Sequence, residues 1–307
     1  MNAILGMCTK NNENTIEKQL KIIISQKIKP DEVVIVDASD DSTPEIIKDI
    51  LESAGITFKI IRQKGSGLGD ARQEIFEYAK GKFDLIVFLD TEKYPINENW
   101  FGNHIKFHKE HEDSAVLNGR FVKKDYEPVS PFKDINYFIQ CNCSIKIDYL
   151  ELAGGYDRCL KRGEDWDLAI RLYKIGARSY VSSKVASYEV DTSDLKAYLK
   201  KKLQRPSSLN FVKKYGLWYI KNYPHHILAD TLGTMNLISM TLSPLHPPFL
   251  VPYLLSLLIF NYGMYKLNKN IILNNKLLIF LLPIIYGMSF IKSLPQTIAK
   301  SNGRCKN

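Results

Sequence analysis

The sequence predicts an α/β fold in which a mostly parallel central sheet carries helices on both faces. Apolar runs of strand length alternate with amphipathic runs of helical length from the N-terminus to about residue 90. Strands joined by helical crossovers pair in parallel. Two of the predicted strands end in a carboxylate, at Asp37 and at Asp90. Ligands of such sheets bind at the carboxyl ends of the strands, so we expect a binding site there.

The predicted elements follow one another in a regular order. Four strands are expected over Ala3–Cys8, Glu32–Val36, Thr57–Ile61 and Asp84–Leu89, with helices between them that include Leu68–Ala79. The alternation changes after Asp90, where the pattern predicts helices over Asn97–His111 and Asp165–Ile175 and strands over Ala115–Val122 and Tyr137–Ile147. His104, His108 and His111 recur at helical spacing, and we expect solvated side chains rather than a metal site.

The charge of the chain is divided unevenly along its length. Residues 1–195 carry 27 Lys and Arg against 32 Asp and Glu, whereas the remainder carries 15 against 1. This division favours three parts: an α/β domain at 1–195, a basic amphipathic segment at 196–226 and a hydrophobic region at 227–307. A basic and apolar tail is typical of attachment to an anionic lipid surface rather than to nucleic acid.

Two apolar stretches in the tail, Phe249–Tyr265 and Leu277–Leu294, are near the lower limit of roughly 17 residues for a membrane-spanning helix. We predict about two membrane helices, which would place the α/β domain on the cytoplasmic face of a membrane. A buried helical domain is the alternative for this region, and a soluble connector is the alternative for the basic segment.

The run Leu85–Leu89 breaks abruptly into Asp90, Thr91 and Glu92. Two carboxylates at the mouth of a buried strand can hold Mg²⁺ or Mn²⁺, which would neutralise a diphosphate. A solvated turn is the alternative. Asp37 with Ser39 fits a nucleotide pocket, although the Ser, Thr and Asp cluster there also suits a helix cap.

Two further segments carry candidate residues. Lys64–Arg72, KGSGLGDAR, follows a strand and opens a helix as a dinucleotide-binding loop does, but its glycines are spaced GxGxG. Arg72 in this segment is suited to contact a phosphate or a sugar. Glu164 and Asp165 begin a predicted helix, where they serve either as favourable first-turn anions or as a base that takes a proton from an acceptor hydroxyl.

Four segments in order, VDASDDST, GLGDAR, FLDTEKYP and GGYD followed by GEDWD, resemble the inverting family 2 glycosyltransferases with a GT-A fold, which is Rossmann-like. The resemblance covers roughly Met1–Val190. It implies that Asp37 contacts the nucleobase and that Asp165 is the catalytic base, with Glu164 beside it. Asp90 and Glu92 would hold Mn²⁺ or Mg²⁺ and the donor diphosphate. Family members usually have Asp where this chain has Glu92.

The resemblance implies a function as well. A single sugar would pass with inversion from a nucleotide-sugar donor to a lipid-linked acceptor, either a polyprenyl phosphate or a lipid-linked glycan, and Arg72 would lie near the donor. Polymer-forming members carry a QxxRW segment, whereas Gln204 and Arg205 are adjacent here and no Trp follows. The alternatives are an exopolysaccharide or protein glycosyltransferase of the same fold, or a non-catalytic, nucleotide-binding membrane scaffold.

Overall fold

The computed structural model describes residues 1–91, 93–120, 127–129, 141–160, 162–189, 203, 207–274 and 278–301. The chain forms two compact units, Met1–Asp191 and Thr192–Asn307. The described part of the first unit contains strands and helices. All the described elements of the second unit are helical.

The first unit alternates strands and helices as the sequence predicts. Its described strands are β1 (Ala3–Thr9), β2 (Glu32–Asp37), β3 (Phe58–Arg62), β4 (Leu85–Leu89), β5 (Lys93–Pro95), β6 (Ser114–Gly119), β7 (Glu127–Val129), β8 (Asn142–Lys146), β9 (Arg178–Ser182) and β10 (Ser187–Glu189). Its described helices are α1 (Ile16–Ile24), α2 (Thr43–Ser53), α3 (Leu68–Ala79), α4 (Trp100–Glu110), α5 (Ile147–Leu152) and α6 (Glu164–Lys174).

Eight of these strands form one sheet in the order β3-β2-β1-β4-β8-β6-β9-β7. The first four strands pair in parallel, as do β6 and β9. β8 runs antiparallel to both β4 and β6, and β7 runs antiparallel to β9. β5 and β10 form a separate antiparallel ribbon. The predicted α/β class with a mostly parallel sheet is therefore confirmed.

Strand β4 lies in the middle of the sheet and is buried on both faces. Ile86 and Phe88 pack into the apolar cluster on one face, whereas Leu85, Val87 and Leu89 pack into the cluster on the other. Alternate side chains of a strand point to opposite faces, so a strand covered by helices on both sides must be apolar throughout. The polar residues after Leu89 therefore mark the edge of the sheet.

Four short strands were not predicted, namely β5, β7, β9 and β10. Three of them have only three residues, which is too short for a recognisable alternation of polar and apolar side chains. The predicted helix at Asn97 begins later, at Trp100, because the Asn97 side chain accepts a hydrogen bond from the Asn99 amide at 2.9 Å and forms a turn.

The second unit is built from helices α7 (Ser208–Tyr215), α8 (Leu217–Asn222), α9 (Pro224–Leu242), α10 (Leu250–Asn274) and α11 (Leu278–Ser301) in its described part. Gly233 and Gly287 let α9 and α11 approach closely, since a Cβ on Gly287 would lie 2.4 Å from the Gly233 carbonyl oxygen. Asp230 accepts a hydrogen bond from the Ser208 amide at 2.8 Å, so a carboxylate from α9 stabilises the N-terminus of α7.

Helices α10 and α11 form over the two apolar stretches of the tail. Within the described ranges, no helix is both long enough and apolar enough to cross a membrane. The predicted spans at Phe249–Tyr265 and Leu277–Leu294 are therefore not supported by the structure.

The expectation of solvated histidines on α4 is wrong for His104 and His108, which are buried. Ser114 Oγ donates to the His111 carbonyl at 2.6 Å and therefore accepts from His108 Nδ1 at 2.9 Å. His108 Nε2 then accepts from Ser144 Oγ at 2.9 Å, and Ser144 Oγ accepts from His104 Nδ1 at 2.8 Å. Both imidazoles are neutral in this chain of hydrogen bonds, and neither is on a solvated face.

The two buried histidines predict a loss of stability in mild acid. Burial lowers the pKa of His108 to about 3 and the pKa of His104 well below its usual value. The unfolded chain takes up these protons near pH 6.5, whereas the folded chain does not, so the free energy of unfolding falls as the pH drops below about 6.5. Each histidine contributes a slope of about 1.4 kcal/mol per pH unit.

Urea unfolding of the full chain between pH 7 and pH 5 measures this slope. The two buried histidines together contribute one part of the slope of unfolding free energy against pH, and His108→Gln should remove about half of that part. His246→Gln changes an exposed histidine and should leave the slope unchanged. A steep acid dependence that survives in a His104→Gln, His108→Gln double variant would contradict the assignment.

Candidate active site

The carboxyl ends of the first four strands bring the candidate residues to one edge of the sheet. Thr9, Asp37 and Arg62 occupy neighbouring positions on β1, β2 and β3. Asp90 follows β4 directly, and β4 pairs with β1. The two acidic strand ends predicted from the sequence therefore lie at the same edge, where ligands of parallel sheets bind.

Asp37 is buried, and both of its carboxylate oxygens accept hydrogen bonds. Oδ1 accepts from Thr9 Oγ1 at 2.7 Å and from Ser39 Oγ at 2.6 Å. Oδ2 accepts from the Ser39 amide at 3.1 Å and from Arg62 Nη1 at 3.3 Å. In this arrangement Asp37 fixes the loop after β2, and Ser39 is its closest partner.

Arg62 is a site residue that sequence reasoning missed. It ends β3 beside Asp37, and its guanidinium also pairs with Asp40 at 3.3 Å and donates to the Ser39 carbonyl oxygen. More than half of its side chain is exposed to solvent. The sequence could have indicated Arg62 through its position, because it directly follows the predicted strand Thr57–Ile61, which comes after the strand that ends in Asp37.

Arg72 joins the two acidic parts of the site. Its Nη2 lies 3.1 Å from Asp90 Oδ1, and its Nη1 is bonded to Glu164 Oε1. The Arg72 side chain is only 3% exposed. A buried guanidinium requires such partners, because an unpaired buried charge is strongly destabilising. Arg72 therefore connects the end of β4 with the start of α6.

Glycine residues allow α3, which carries Arg72, to pack closely against the segment that precedes α6. A Cβ on Gly69 would lie 2.6 Å from the Leu160 carbonyl oxygen and 2.7 Å from that of Asp157. Only glycine fits there, so the first turn of α3 packs directly against the segment that precedes α6. Gly163 has a φ of 80° and begins α6. The glycine at position 69 of the predicted loop thus has a packing role.

Glu164 and Asp165 begin α6 in different surroundings. Glu164 is buried against Arg72, and burial raises its pKa to about 7 although the arginine opposes the shift. Its second oxygen, Oε2, has no hydrogen-bond partner among the described residues. Asp165 is half-buried, and its Oδ1 accepts from the Trp166 amide at 2.8 Å. Burial raises its pKa as well, again against Arg72.

Asp90 is the described residue best placed to hold a divalent cation. Its side chain is 35% exposed, and Oδ1 is the oxygen that pairs with Arg72. Glu92, the second predicted ligand, lies outside the described residues. No group of three or more His, Cys, Asp and Glu side chains with metal-site geometry occurs in the described part. Mg²⁺-type sites that share the ion with substrate phosphates need only one or two carboxylates, so the partly exposed Asp90 carboxylate fits such an ion.

Solved structures share this fold. The mannosyltransferase PcManGT from Pyrobaculum calidifontis, in complex with GDP-Man and Mn²⁺, is 16% identical with a TM-score of 0.61, covering 95% of this chain and 87% of that chain. S. aureus TarS 1-349 in complex with UDP-GlcNAc is 18% identical with a TM-score of 0.53, covering 99% and 92%. A longer TarS structure is 24% identical with a TM-score of 0.51, covering 66% of this chain but 38% of that one. At these identities the similarity establishes a GT-A-like fold.

The sequence itself matches a described family. Residues 5–153 match Glycosyl transferase family 2, and this range includes the strand ends at Asp37 and Asp90 together with Arg72. Glu164 and Asp165 lie just beyond the matched range. Residues 5–153, slightly less than half of the chain, therefore match a glycosyl transferase family 2 domain, and the solved structures show a GT-A-like fold for this part of the chain.

Proposed function

We propose that the chain transfers a single sugar, with inversion, from a nucleotide-sugar donor to a lipid-linked acceptor in a metal-dependent reaction. The observation that carries this proposal is the Arg72 bridge, in which one guanidinium pairs with the Asp90 carboxylate and with Glu164, the residue next to Asp165. A donor-binding carboxylate and a base must act on the two sides of the same anomeric carbon. Arg72 supports this arrangement, because it ties Asp90 to Glu164, which precedes the proposed base Asp165.

The residues at the strand ends would bind the donor. Asp37 and Ser39 hold the loop after β2 in place, and Arg62 offers an exposed guanidinium beside them to the nucleoside. Asp90 and Glu92 would hold Mn²⁺ or Mg²⁺, which when bound neutralises charge on the leaving diphosphate. Two of the structural relatives are complexes with Mn²⁺, PcManGT and GalNAc-T7.

Asp165 is better suited than Glu164 to act as the base. Glu164 is buried and bonded to Arg72, so it is held away from solvent. Asp165 is half-buried and has one oxygen engaged by a backbone amide, which orients the carboxylate. Asp165 would take the proton from an acceptor hydroxyl as that oxygen attacks the anomeric carbon. An acceptor phosphate is already ionised and would need this base less.

The second unit supports a lipid acceptor through its surface chemistry. Asp230 is the only acidic residue after position 195, and it is buried. The described surface of this unit therefore presents cationic side chains without carboxylates, including the exposed Lys213, Lys214 and Lys221. Such a surface is attracted to anionic headgroups.

Helix α10 adds an apolar stripe to this surface. Seven of its side chains are exposed along one side: Leu250, Val251, Leu254, Leu255, Leu258, Ile259 and Tyr262. Extended exposed apolar patches mark contacts with membranes or other proteins, and combined with basic residues they are typical of helices that lie in a membrane interface. We propose that this unit contacts the lipid surface that carries the acceptor, on the cytoplasmic face of the membrane.

Donor binding should depend on Asp90 and on the metal. In thermal unfolding, UDP or GDP sugars should raise the Tm of the wild-type chain further when Mn²⁺ is present, because a ligand present at 100 times its Kd stabilises by about 2.7 kcal/mol. Asp90→Ala should abolish the Mn²⁺-dependent part. Asp84→Ala, which removes an exposed carboxylate at the other end of β4, should keep it. A Mn²⁺-dependent shift that survives in Asp90→Ala would refute the metal assignment, and donor binding without turnover would favour the non-catalytic scaffold.

The base assignment predicts a selective loss in Asp165→Asn. With an acceptor hydroxyl, kcat should fall about 10²- to 10⁴-fold while donor binding is retained, because only the proton transfer is impaired. Each tenfold loss corresponds to about 1.4 kcal/mol of barrier. Asp167→Asn removes another buried charge from the same helix, where Asp167 pairs with Arg171, and should leave kcat nearly unchanged. A loss of only a few-fold in Asp165→Asn would exclude the general-base role.

The lipid contact predicts binding to vesicles that contain anionic lipid. The full chain should cosediment with phosphatidylcholine vesicles containing phosphatidylglycerol, and the double variant Leu254→Gln, Leu258→Gln should bind several-fold less. Leu152→Gln is the matched control, since Leu152 of the first unit is 71% exposed and Leu258 is 68% exposed. Equal vesicle binding by all three proteins would show that the stripe is not the lipid contact.

A further inference from the structure

Gln19 is a buried polar residue that the proposed reaction does not use directly. It lies on α1 between apolar neighbours that face the core, including Ile16, Leu20 and Ile23. Its side chain is fully buried. An apolar side chain of similar size would fill this buried position, and burying an amide costs free energy unless it is hydrogen-bonded. We therefore expect the function of the Gln19 amide to lie in its hydrogen bonds.

The Gln19 amide binds the turn that follows β4. Its Nε2 donates to the Asp90 carbonyl oxygen at 2.7 Å and to the Lys93 carbonyl oxygen at 2.7 Å. The Lys93 amide donates to the same Asp90 carbonyl oxygen at 3.0 Å, so a hydrogen bond joins the two ends of the turn between Asp90 and Lys93. One side chain from α1 therefore holds both ends of the turn that begins with Asp90.

The other face of this turn is held by the sheet. The Asp90 amide donates to the Cys141 carbonyl oxygen at 2.9 Å, and the Asp90 carboxylate pairs with Arg72. The Asp90 backbone is thus fixed through its amide and its carbonyl group. Among the described residues, Gln19 is the only one whose side chain is seen to bind that carbonyl group. Mutation of residues that orient metal ligands in this way typically weakens metal affinity by about 10- to 100-fold.

We propose that Gln19 is a positioning residue for the metal-binding turn, which sets the direction of the Asp90 carboxylate toward the cation and the donor diphosphate. This inference rests on the proposed role of Asp90 in holding the metal. Without the two hydrogen bonds from Gln19, the turn between Asp90 and Lys93 loses its anchor to α1. The Asp90 carboxylate then samples a wider range of positions, which weakens metal binding.

The chain offers a matched control in Gln26. This glutamine lies just after α1 and is 2% exposed, and its amide also binds backbone, donating to the Asn97 carbonyl oxygen at 3.0 Å and accepting from the Phe101 amide at 3.1 Å. Gln26→Met and Gln19→Met both remove a buried amide that binds backbone. Only Gln19 contacts the turn that carries Asp90.

The test measures Mn²⁺ binding to the full chain with UDP or GDP present, because the proposed site shares the ion with phosphates. Free Mn²⁺ is followed by electron paramagnetic resonance and corrected for the Mn²⁺ that the nucleotide binds without protein. Gln19→Met should weaken the Mn²⁺ Kd about 10- to 100-fold. Gln26→Met should bind Mn²⁺ as the wild type does, although both variants lose thermal stability. If Gln19→Met does not fold, Gln19→Asn replaces it, because its amide is one methylene too short to reach both carbonyl oxygens.

The possible results separate this inference from the proposed function. If Asp90→Ala abolishes Mn²⁺ binding but the Gln19 variants bind as the wild type does, Gln19 has only a structural role and the inference is wrong. If the Gln19 and Gln26 variants weaken binding equally, the effect is one of general stability, which also overturns it. If the wild type binds no Mn²⁺ even with UDP or GDP present, or if Asp90→Ala binds it unchanged, the metal assignment is wrong and the inference is wrong with it.

Discussion

The candidate site depends on one buried charge, the guanidinium of Arg72. Burying a charge is costly unless partners surround it, and here the partners are Asp90 and Glu164. The sheet supplies one partner, α6 supplies the other, and α3 supplies the arginine. The ion pairs therefore hold three elements together at the edge of the sheet where its parallel strands end.

The acidic residues of the site differ in role because they differ in environment. Asp37 is buried, and its two oxygens accept hydrogen bonds from Thr9, Ser39 and Arg62, so it holds the loop after β2 in place. Glu164 is buried against an arginine, and burial raises its pKa to about 7. Asp90 and Asp165 keep part of their surface open and can meet a ligand. Burial and hydrogen bonding, rather than residue type, separate the structural carboxylates from those that are available for chemistry.

Much of this arrangement could be predicted from the sequence. The α/β class and the acidic strand ends at Asp37 and Asp90 follow from local patterns, because parallel strands place their carboxyl ends together. The contact between Arg72 and Glu164 could not be predicted, since the two residues are 92 positions apart and only the packing at Gly69 brings them together. The prediction that His104 and His108 are solvated was wrong for a related reason. Their hydrogen-bond partners in the interior are serines of other elements, which a local pattern does not reveal.

The central claim is that Asp90 holds the metal beside the Arg72 bridge. Crystals of the chain grown with Mn²⁺ and UDP or GDP, and examined by anomalous diffraction at the manganese edge, test it most directly. The account predicts a manganese peak in direct contact with the Asp90 carboxylate, with Arg72 still bonded to Glu164. A manganese peak away from the carboxyl end of β4, or a nucleotide bound with its diphosphate far from Asp90, would contradict it.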